Sequence, residues 1–168
     1  MRDHVLALAP ETERGRTHMT AMTVPGTGRR DAIRRRSVRA IKIHWPVSRR
    51  TVAAVGAGHV EALGDDESLA ALLRELRALP GVGDFGLYQD VFEVSIGAEG
   101  FTPKDGALPA FGAVGGRTLS PTLALTTYID AAAGEDEISQ ILARIVAAHP
   151  WEVPVVELSA PLELVSRA

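Results

Sequence analysis

The fold is decided by the stretch Ala147-Ala148-His149-Pro150-Trp151-Glu152-Val153-Pro154-Val155-Val156-Glu157-Leu158. Proline fixes its own φ and pushes the preceding residue out of the helical region. We therefore expect a helix to end at Ala148 or His149 and an apolar strand to run from Val153 to Leu158. The two prolines hold an imidazole, an indole and a carboxylate in one restricted turn.

Working backward from this turn, the sequence predicts two amphipathic helices. The later helix begins near three acidic residues, Glu135 to Glu137, whose charges suit a helix N-terminus. Its apolar residues recur at helical spacing and are Ile138, Ile141, Leu142, Ile145 and Val146. The earlier helix is capped by Asp65 or Asp66 and ends at Pro80-Gly81. Its apolar residues are Leu69, Leu72, Leu73 and Leu76.

Four strands are predicted around these helices, at residues 58–63, 85–96, 123–131 and 153–158. The order strand, helix, strand, strand, helix, strand is typical of an α+β, ferredoxin-like βαββαβ sandwich. We expect a four-stranded antiparallel sheet with two helices on one face and self-association covering the other. The long Gly/Pro-rich connection at residues 97–121 is expected to be functional or to form a covered hairpin.

Charge divides the chain into two parts. Residues 1–50 hold 12 of the 18 basic residues and carry a net charge of +8, whereas residues 51–168 carry −11. This asymmetry predicts a basic tail on an acidic domain. Together with the predicted elements, it divides the chain into a disordered extension over residues 1–40, an extra strand and connection over 41–57, a core domain over 58–162 and a tail over 163–168. Met19 and Met22 are alternative starts.

Composition narrows the function classes. The chain has no cysteine, which excludes disulfides, thiolate catalysis and cysteine-ligated metals. No apolar run approaches the roughly 20 residues that span a bilayer, so we expect no membrane partner. We expect a cytoplasmic protein.

Four motifs follow in order: Gly81-Val82-Gly83-Asp84-Phe85-Gly86-Leu87-Tyr88, then Glu99-Gly100-Phe101-Thr102-Pro103, then Asp105 to Gly115, and finally His149 to Pro154. This series resembles the CutA-like, PII-like inserted domain of YqfO-type (NGG-interacting-factor-like) proteins, which also occurs as a stand-alone module. The resemblance implies a ferredoxin-like fold that assembles as trimers, without a settled activity. Asp84 stands where that family usually has a histidine, Trp151 replaces a tyrosine, and Val153 replaces a frequent glutamate.

The candidate chemistry centres on the closing turn. His149 and Glu152, with Asp84 brought near by the family fold, could bind a divalent ion such as Cu or Zn. Alternatively, His149 caps the helix C-terminus and Glu152 accepts local hydrogen bonds. The first hypothesis is a small oligomeric regulatory module that binds a metal or a small anionic ligand. The expected ligand-binding residues are Tyr88, Thr102, Arg117 and Trp151.

Two other function classes stay open. In an enzyme on the same scaffold, His149 would act as general acid or base, with Glu152 orienting it and Tyr88 beside it. A nucleic-acid-associated protein would use the arginine-rich segment from Arg29 to Arg39, although no aromatic residue interleaves those arginines. We expect nucleic acid to be the less favoured partner.

Overall fold

The computed structural model describes residues 33–167. The chain forms β1 (Ile33–Pro46), α1 (Arg49–Gly56), a 3₁₀ helix (Val60–Leu63), α2 (Glu67–Arg77), β2 (Phe92–Phe101), β3 (Thr118–Asp130), α3 (Glu135–Ala148), β4 (Val156–Leu158) and β5 (Leu162–Arg167). Among these residues, no helix has both the length and the apolar character that a membrane crossing requires.

The strands form one antiparallel sheet in the order β2-β3-β1-β4. This is the strand order of the ferredoxin-like fold, so the predicted fold class is confirmed. Strand β1 is 14 residues long and has two partners on one side. Its second half pairs with β4, and its first half pairs with β5, from Ile33 opposite Arg167 to Val38 opposite Leu162.

The core lies between the sheet and the helices. Helix α2 begins where the Asp66 side chain accepts the N–H of Leu69 at 3.2 Å, as its capping sequence predicted. Helix α3 ends at Ala148, and His149 is its C-cap with extended backbone, as the following proline requires. The two helical stripes and the inward side chains of the sheet form one cluster, which includes Ile41, Ile43, Trp45, Leu69, Leu72, Leu76, Leu123, Leu125, Ile129, Ile138, Ile141 and Ile145.

The position of the first strand was predicted wrongly. Residues 58–63 were expected to be a strand, but Val60–Leu63 is a short 3₁₀ helix that follows Gly58 at a φ of +93°. The segment at 41–57 was expected to be an addition outside the domain, whereas 41–46 belongs to the central strand β1 and 49–56 forms helix α1. Buried apolar residues at alternate positions of β1 pair with β3, which makes this strand the centre of the sheet.

The chain termini also differ from the prediction. Residues 33–40 are part of β1 rather than a disordered extension, and residues 1–32 lie outside the described residues. The predicted tail at 163–168 is largely β5, which pairs with β1. The glycine-rich connection is a hairpin: β2 and β3 pair from Phe92 opposite Thr127 to Phe101 opposite Thr118, and a loop of residues 102–117 joins them.

Candidate functional site

Both ring nitrogens of His149 form hydrogen bonds, one to strand β1 and one within the closing turn. Nε2 lies 2.7 Å from the carbonyl oxygen of His44, and Nδ1 lies 3.1 Å from the backbone N of Trp151. A carbonyl only accepts and a backbone N–H only donates, so the ring is neutral with its proton on Nε2. His149 is only 7% exposed. Burial lowers its pKa, outweighing the opposite effects of the His44 carbonyl and the Glu99 carboxylate.

Aromatic rings surround this imidazole. The rings of His149 and Trp45 meet edge to face with centroids 4.7 Å apart, and those of His149 and Trp151 lie 5.7 Å apart. On the other side of Trp151, the ring of Phe101 lies at 5.5 Å with an interplanar angle of 64°. Such tilted pairs are favourable beyond their buried area. The turn is therefore fixed to β1 by His149 and Trp45, and to the end of β2 by Trp151 and Phe101.

Glu152 ties the long loop to the closing turn. Its Oε2 accepts the backbone N–H of Leu108 at 2.9 Å, across 44 positions of sequence. The loop is braced a second time where the N–H of Gly115 donates to the carbonyl oxygen of Pro103 at 2.8 Å. These bonds position the loop over the turn and the end of β2.

A cavity of about 390 Å³ lies under this loop. We call it the aromatic pocket; it is lined by residues 99–103, 107, 109–111, 151–153 and 155. Its walls include the rings of Phe101, Phe111 and Trp151, and its polar side chains include the carboxylates of Glu99 and Glu152. A largely apolar concavity of this size with a few convergent polar groups is typical of a small-molecule site.

Glu99 is the polar residue of the pocket that sequence reasoning did not select as a site residue. Its Oε2 is buried and has no hydrogen-bond partner among the described residues. Its Oε1 lies 4.0 Å from Nδ1 of His44, whose Nε2 is already bonded to Oε1 of Glu157 at 2.8 Å. The sequence signal was a carboxylate in a β-strand immediately before Gly100 and Phe101, where an aromatic or β-branched residue is usual.

A larger groove of about 1030 Å³ shares Phe111 and Trp151 with the aromatic pocket. It is bordered by the first residues of α1 and α2 and carries side chains of both charge signs. Its buried carboxylate, Asp66, already accepts bonds from Thr51 Oγ1 at 2.6 Å and from the N–H groups of Ser48 and Leu69. Among the described residues, the groove therefore has no buried side-chain polar atom without a partner, whereas Glu99 of the aromatic pocket has one.

The predicted metal ligands are not brought together in one protomer. Asp84 lies in the turn before β2, where its Oδ1 accepts the N–H of Gly86 at 2.7 Å. His149 and Glu152 have the partners described above. Within residues 33–167, no group of three or more His, Cys, Asp or Glu side chains is placed to hold a metal ion.

The predicted ligand-binding residues separate into two groups. Thr102 and Trp151 line the aromatic pocket. Tyr88 is 72% exposed at the tip of the Asp84 turn, and Arg117 is exposed at the end of the long loop; neither lines the pocket. The described partners of the His149 ring are His44, Trp45 and Trp151, and Tyr88 is not among them.

Several arginines of the basic segment are paired within the sheet. Arg35 lies 2.9 Å from Glu163, and Arg39 lies 3.1 Å from Glu135. Arg36 contacts the carbonyl oxygen of Asp84 and stacks over the ring of Phe85, 5.6 Å from its centroid. These partners reduce the charge available to nucleic acid on this part of the segment, and Arg29 and Arg30 lie outside the described residues.

Comparison with known proteins gives distant likenesses. No family model and no curated protein matches the chain. Among solved structures, the chain is similar to a Bacillus cereus protein related to NIF3, with 19% identity over 77% of this chain and a TM-score of 0.48. It is also similar to the periplasmic divalent cation tolerance protein CutA from Archaeoglobus fulgidus, with 10% identity over 73% of this chain and 82% of that one and a TM-score of 0.34.

The chain spans 26% of the length of the Bacillus cereus protein. Both solved structures are distant from the chain. Their identities and TM-scores are low, so the fold class rests on the strand order of the chain itself, and membership of the YqfO type stays a prediction.

Proposed function

We propose that this chain is a small, non-catalytic, oligomeric module that binds a small-molecule ligand in the aromatic pocket, with a regulatory role of the CutA/PII-like kind. The observation that carries the proposal is the bond between Glu152 and the Leu108 N–H, which holds the long loop over a cavity of about 390 Å³. A loop fixed over an apolar cavity gives a ligand a preformed site and reduces the entropy lost on binding.

The state of His149 favours binding over catalysis. A general base needs a free lone pair within reach of a substrate proton. In His149 the lone pair of Nδ1 accepts the Trp151 N–H, and the proton on Nε2 is donated to His44. The imidazole therefore supports the turn that forms one wall of the pocket.

The sheet edge supports the oligomeric part of the proposal. Among the described strands, β2 pairs on one side only, with β3, and its other edge is open along Phe92–Phe101. Large apolar side chains near this hairpin are also exposed, including Leu119 at 62% and Ile96 at 45%. Open edges and exposed apolar residues favour association. The resemblance favours a homotrimer, and size-exclusion chromatography with light scattering tests it; a monomer at micromolar concentration would rule it out.

The ligand-binding part is tested with a small neutral aromatic probe, benzyl alcohol, in ligand-observed NMR titrations. Phe111→Ala removes one wall of the pocket and should weaken binding several-fold, since an aromatic wall contributes about 1 kcal/mol or more. Leu87→Ala is the matched control, because Leu87 is 94% exposed and does not line the pocket. Equal affinity in both variants would place the probe elsewhere.

The hydrogen bond from the Leu108 N–H to Glu152, which we call the tether, is tested separately. Glu152→Ala removes the acceptor of the Leu108 N–H and should release the loop. Trypsin cleaves after Lys104 and Arg117, which flank Leu108 in the loop, so limited proteolysis should cut the variant faster than the wild type. Glu61→Ala, at an exposed glutamate on the 3₁₀ helix, should leave the cleavage rate unchanged.

A divalent ion held by His149, Glu152 and Asp84 stays a second prediction, as does the choice between Cu and Zn. Both ring nitrogens of His149 already form hydrogen bonds, which does not favour metal binding there. Metal analysis of untagged protein dialysed against micromolar Cu or Zn checks it, with His149→Ala as the comparison. Stoichiometric metal that is lost in this variant would restore the metal hypothesis.

A further inference from the structure

We propose that the ligand of the aromatic pocket is an organic cation: a small apolar body that carries an ammonium or guanidinium head group directed toward Glu99. This inference rests on the proposed function, and it replaces the small anionic ligand that the sequence suggested with one of opposite charge.

The charge of the pocket is the first argument. Among the described residues that line it there is no Lys, Arg or His, whereas two carboxylates, Glu99 and Glu152, contribute to the wall. One oxygen of Glu152 is occupied by the N–H of Leu108. An anion entering this pocket would find no cationic side chain and would be repelled by both carboxylates. A cation would be attracted by them.

The second argument is that Glu99 Oε2 lacks a hydrogen-bond donor among the described residues. A buried carboxylate oxygen without a donor costs free energy, because the water that solvated it has been removed without replacement. Glu99 Oε2 is such an atom. The two histidines near it do not supply the donor: His44 is 4.0 Å from the other oxygen and is bonded to Glu157, and the Nε2 proton of His149 goes to the His44 carbonyl. A positively charged ligand in the pocket, of which Glu99 forms part of the wall, would offset the charge of this carboxylate.

The aromatic walls are the third argument. Phe101 and Trp151 meet at 64°, so they present differently oriented rings to the cavity, and Phe111 adds a third. The face of an aromatic ring carries partial negative charge and attracts ammonium and guanidinium groups. Rings together with a carboxylate discriminate an organic cation from a neutral molecule of the same shape. They also discriminate it from a bare metal ion, which gains little from apolar walls.

The experiment compares three probes of nearly equal shape and different charge: benzylammonium, benzyl alcohol and benzoate. Each is titrated into the full-length protein at neutral pH, and affinity is measured by ligand-observed NMR. We expect benzylammonium to bind at least about fivefold more tightly than benzyl alcohol, given typical cation–π and carboxylate contributions, and benzoate to bind most weakly.

The decisive variant is Glu99→Gln, which keeps the shape of the side chain and removes its charge. It should abolish most of the preference for benzylammonium over benzyl alcohol. Glu61→Gln makes the same charge change at an exposed position outside the pocket and should preserve the preference. Thermal unfolding of both variants confirms that they are folded.

The outcomes separate the two proposals. If benzyl alcohol binds as well as benzylammonium, or if Glu99→Gln retains the preference, the cationic ligand is overturned and the proposed binding function stands. If none of the three probes binds at millimolar concentration, both the cationic ligand and the proposed binding function are overturned.

Discussion

The Nε2 proton of His149 is donated to the carbonyl oxygen of His44 at 2.7 Å, which joins the end of α3 to the central strand β1. This bond gives the histidine of the closing turn a structural role. It also makes the ring a structural element whose removal has consequences for folding stability.

His149→Ala should destabilise the protein by about 2–4 kcal/mol, because it leaves a cavity beside Trp45 and removes the partners of two backbone groups. Urea unfolding followed by tryptophan fluorescence measures this. His59→Ala is the control, since the His59 side chain is 68% exposed, and it should change the free energy of unfolding by less than about 0.5 kcal/mol. Equal stability of both variants would contradict the structural role of His149.

The burial of His149 predicts that the free energy of unfolding depends on pH. The pKa of His149 is lowered in the folded protein, so below its ordinary value of about 6.5 the unfolded chain binds a proton that the folded chain does not. The stabilisation is complete above about pH 6.5 and is lost as the pH falls from there toward the folded pKa. Urea unfolding between about pH 7.5 and about pH 5 should show this slope, and His149→Gln should reduce it. An unchanged slope in the variant would assign it to another group.

Asp66 should be the most sensitive carboxylate at the start of the helices. Burial would raise its pKa, but hydrogen bonds from Thr51, Ser48 and Leu69 outweigh burial and hold the pKa below its usual range. Asp66→Ala should therefore cost about 2–3 kcal/mol, more than an ordinary helix cap, because it leaves several donors without an acceptor. Asp65→Ala, at the exposed neighbour, should have little effect in the same chemical denaturation.

Alanine substitutions at Gly83 and Gly81 separate the cost of steric crowding from the cost of backbone strain. Both have positive φ, +66° and +76°. A Cβ at Gly83 would lie 2.8 Å from the backbone N of Val91, whereas a Cβ at Gly81 would meet open space. Gly81→Ala should cost about 1 kcal/mol from strain, and Gly83→Ala should cost at least about 2 kcal/mol more because the backbone must shift. Similar thermal unfolding midpoints in the two variants would show that the contact with Val91 is readily relieved.

The parts of the fold that were predicted correctly depend on neighbours in sequence. Asp66 caps α2 by accepting the N–H of Leu69, three residues later in the sequence. Pro150 ends α3 by its effect on the preceding residue. The first half of β1 could not be recognised in the same way, because its arginines resemble those of a solvated tail. It is a strand because it pairs with β5, where Arg35 lies opposite Val165 and binds Glu163.

The candidate site was likewise predicted only in part from the sequence. The closing turn was predicted from its prolines, and Thr102 and Trp151, both predicted as ligand-binding residues, line the same pocket. The tether from Glu152 to Leu108 and the unpartnered oxygen of Glu99 depend on how the hairpin folds back on the turn, which no local pattern encodes. Asp84 was expected beside His149 through the family resemblance, and the structure instead shows it capping its own turn.

The central position of β1 has a consequence for how the chain is made. It is the first strand of the described chain to leave the ribosome, yet its partners β3, β4 and β5 are all synthesised much later. Until then its apolar residues Ile41, Ile43 and Trp45 have no sheet to join. Long-range pairings of this kind fold slowly and expose aggregation-prone surface. We therefore expect this strand to stay unpaired until the later strands have been synthesised.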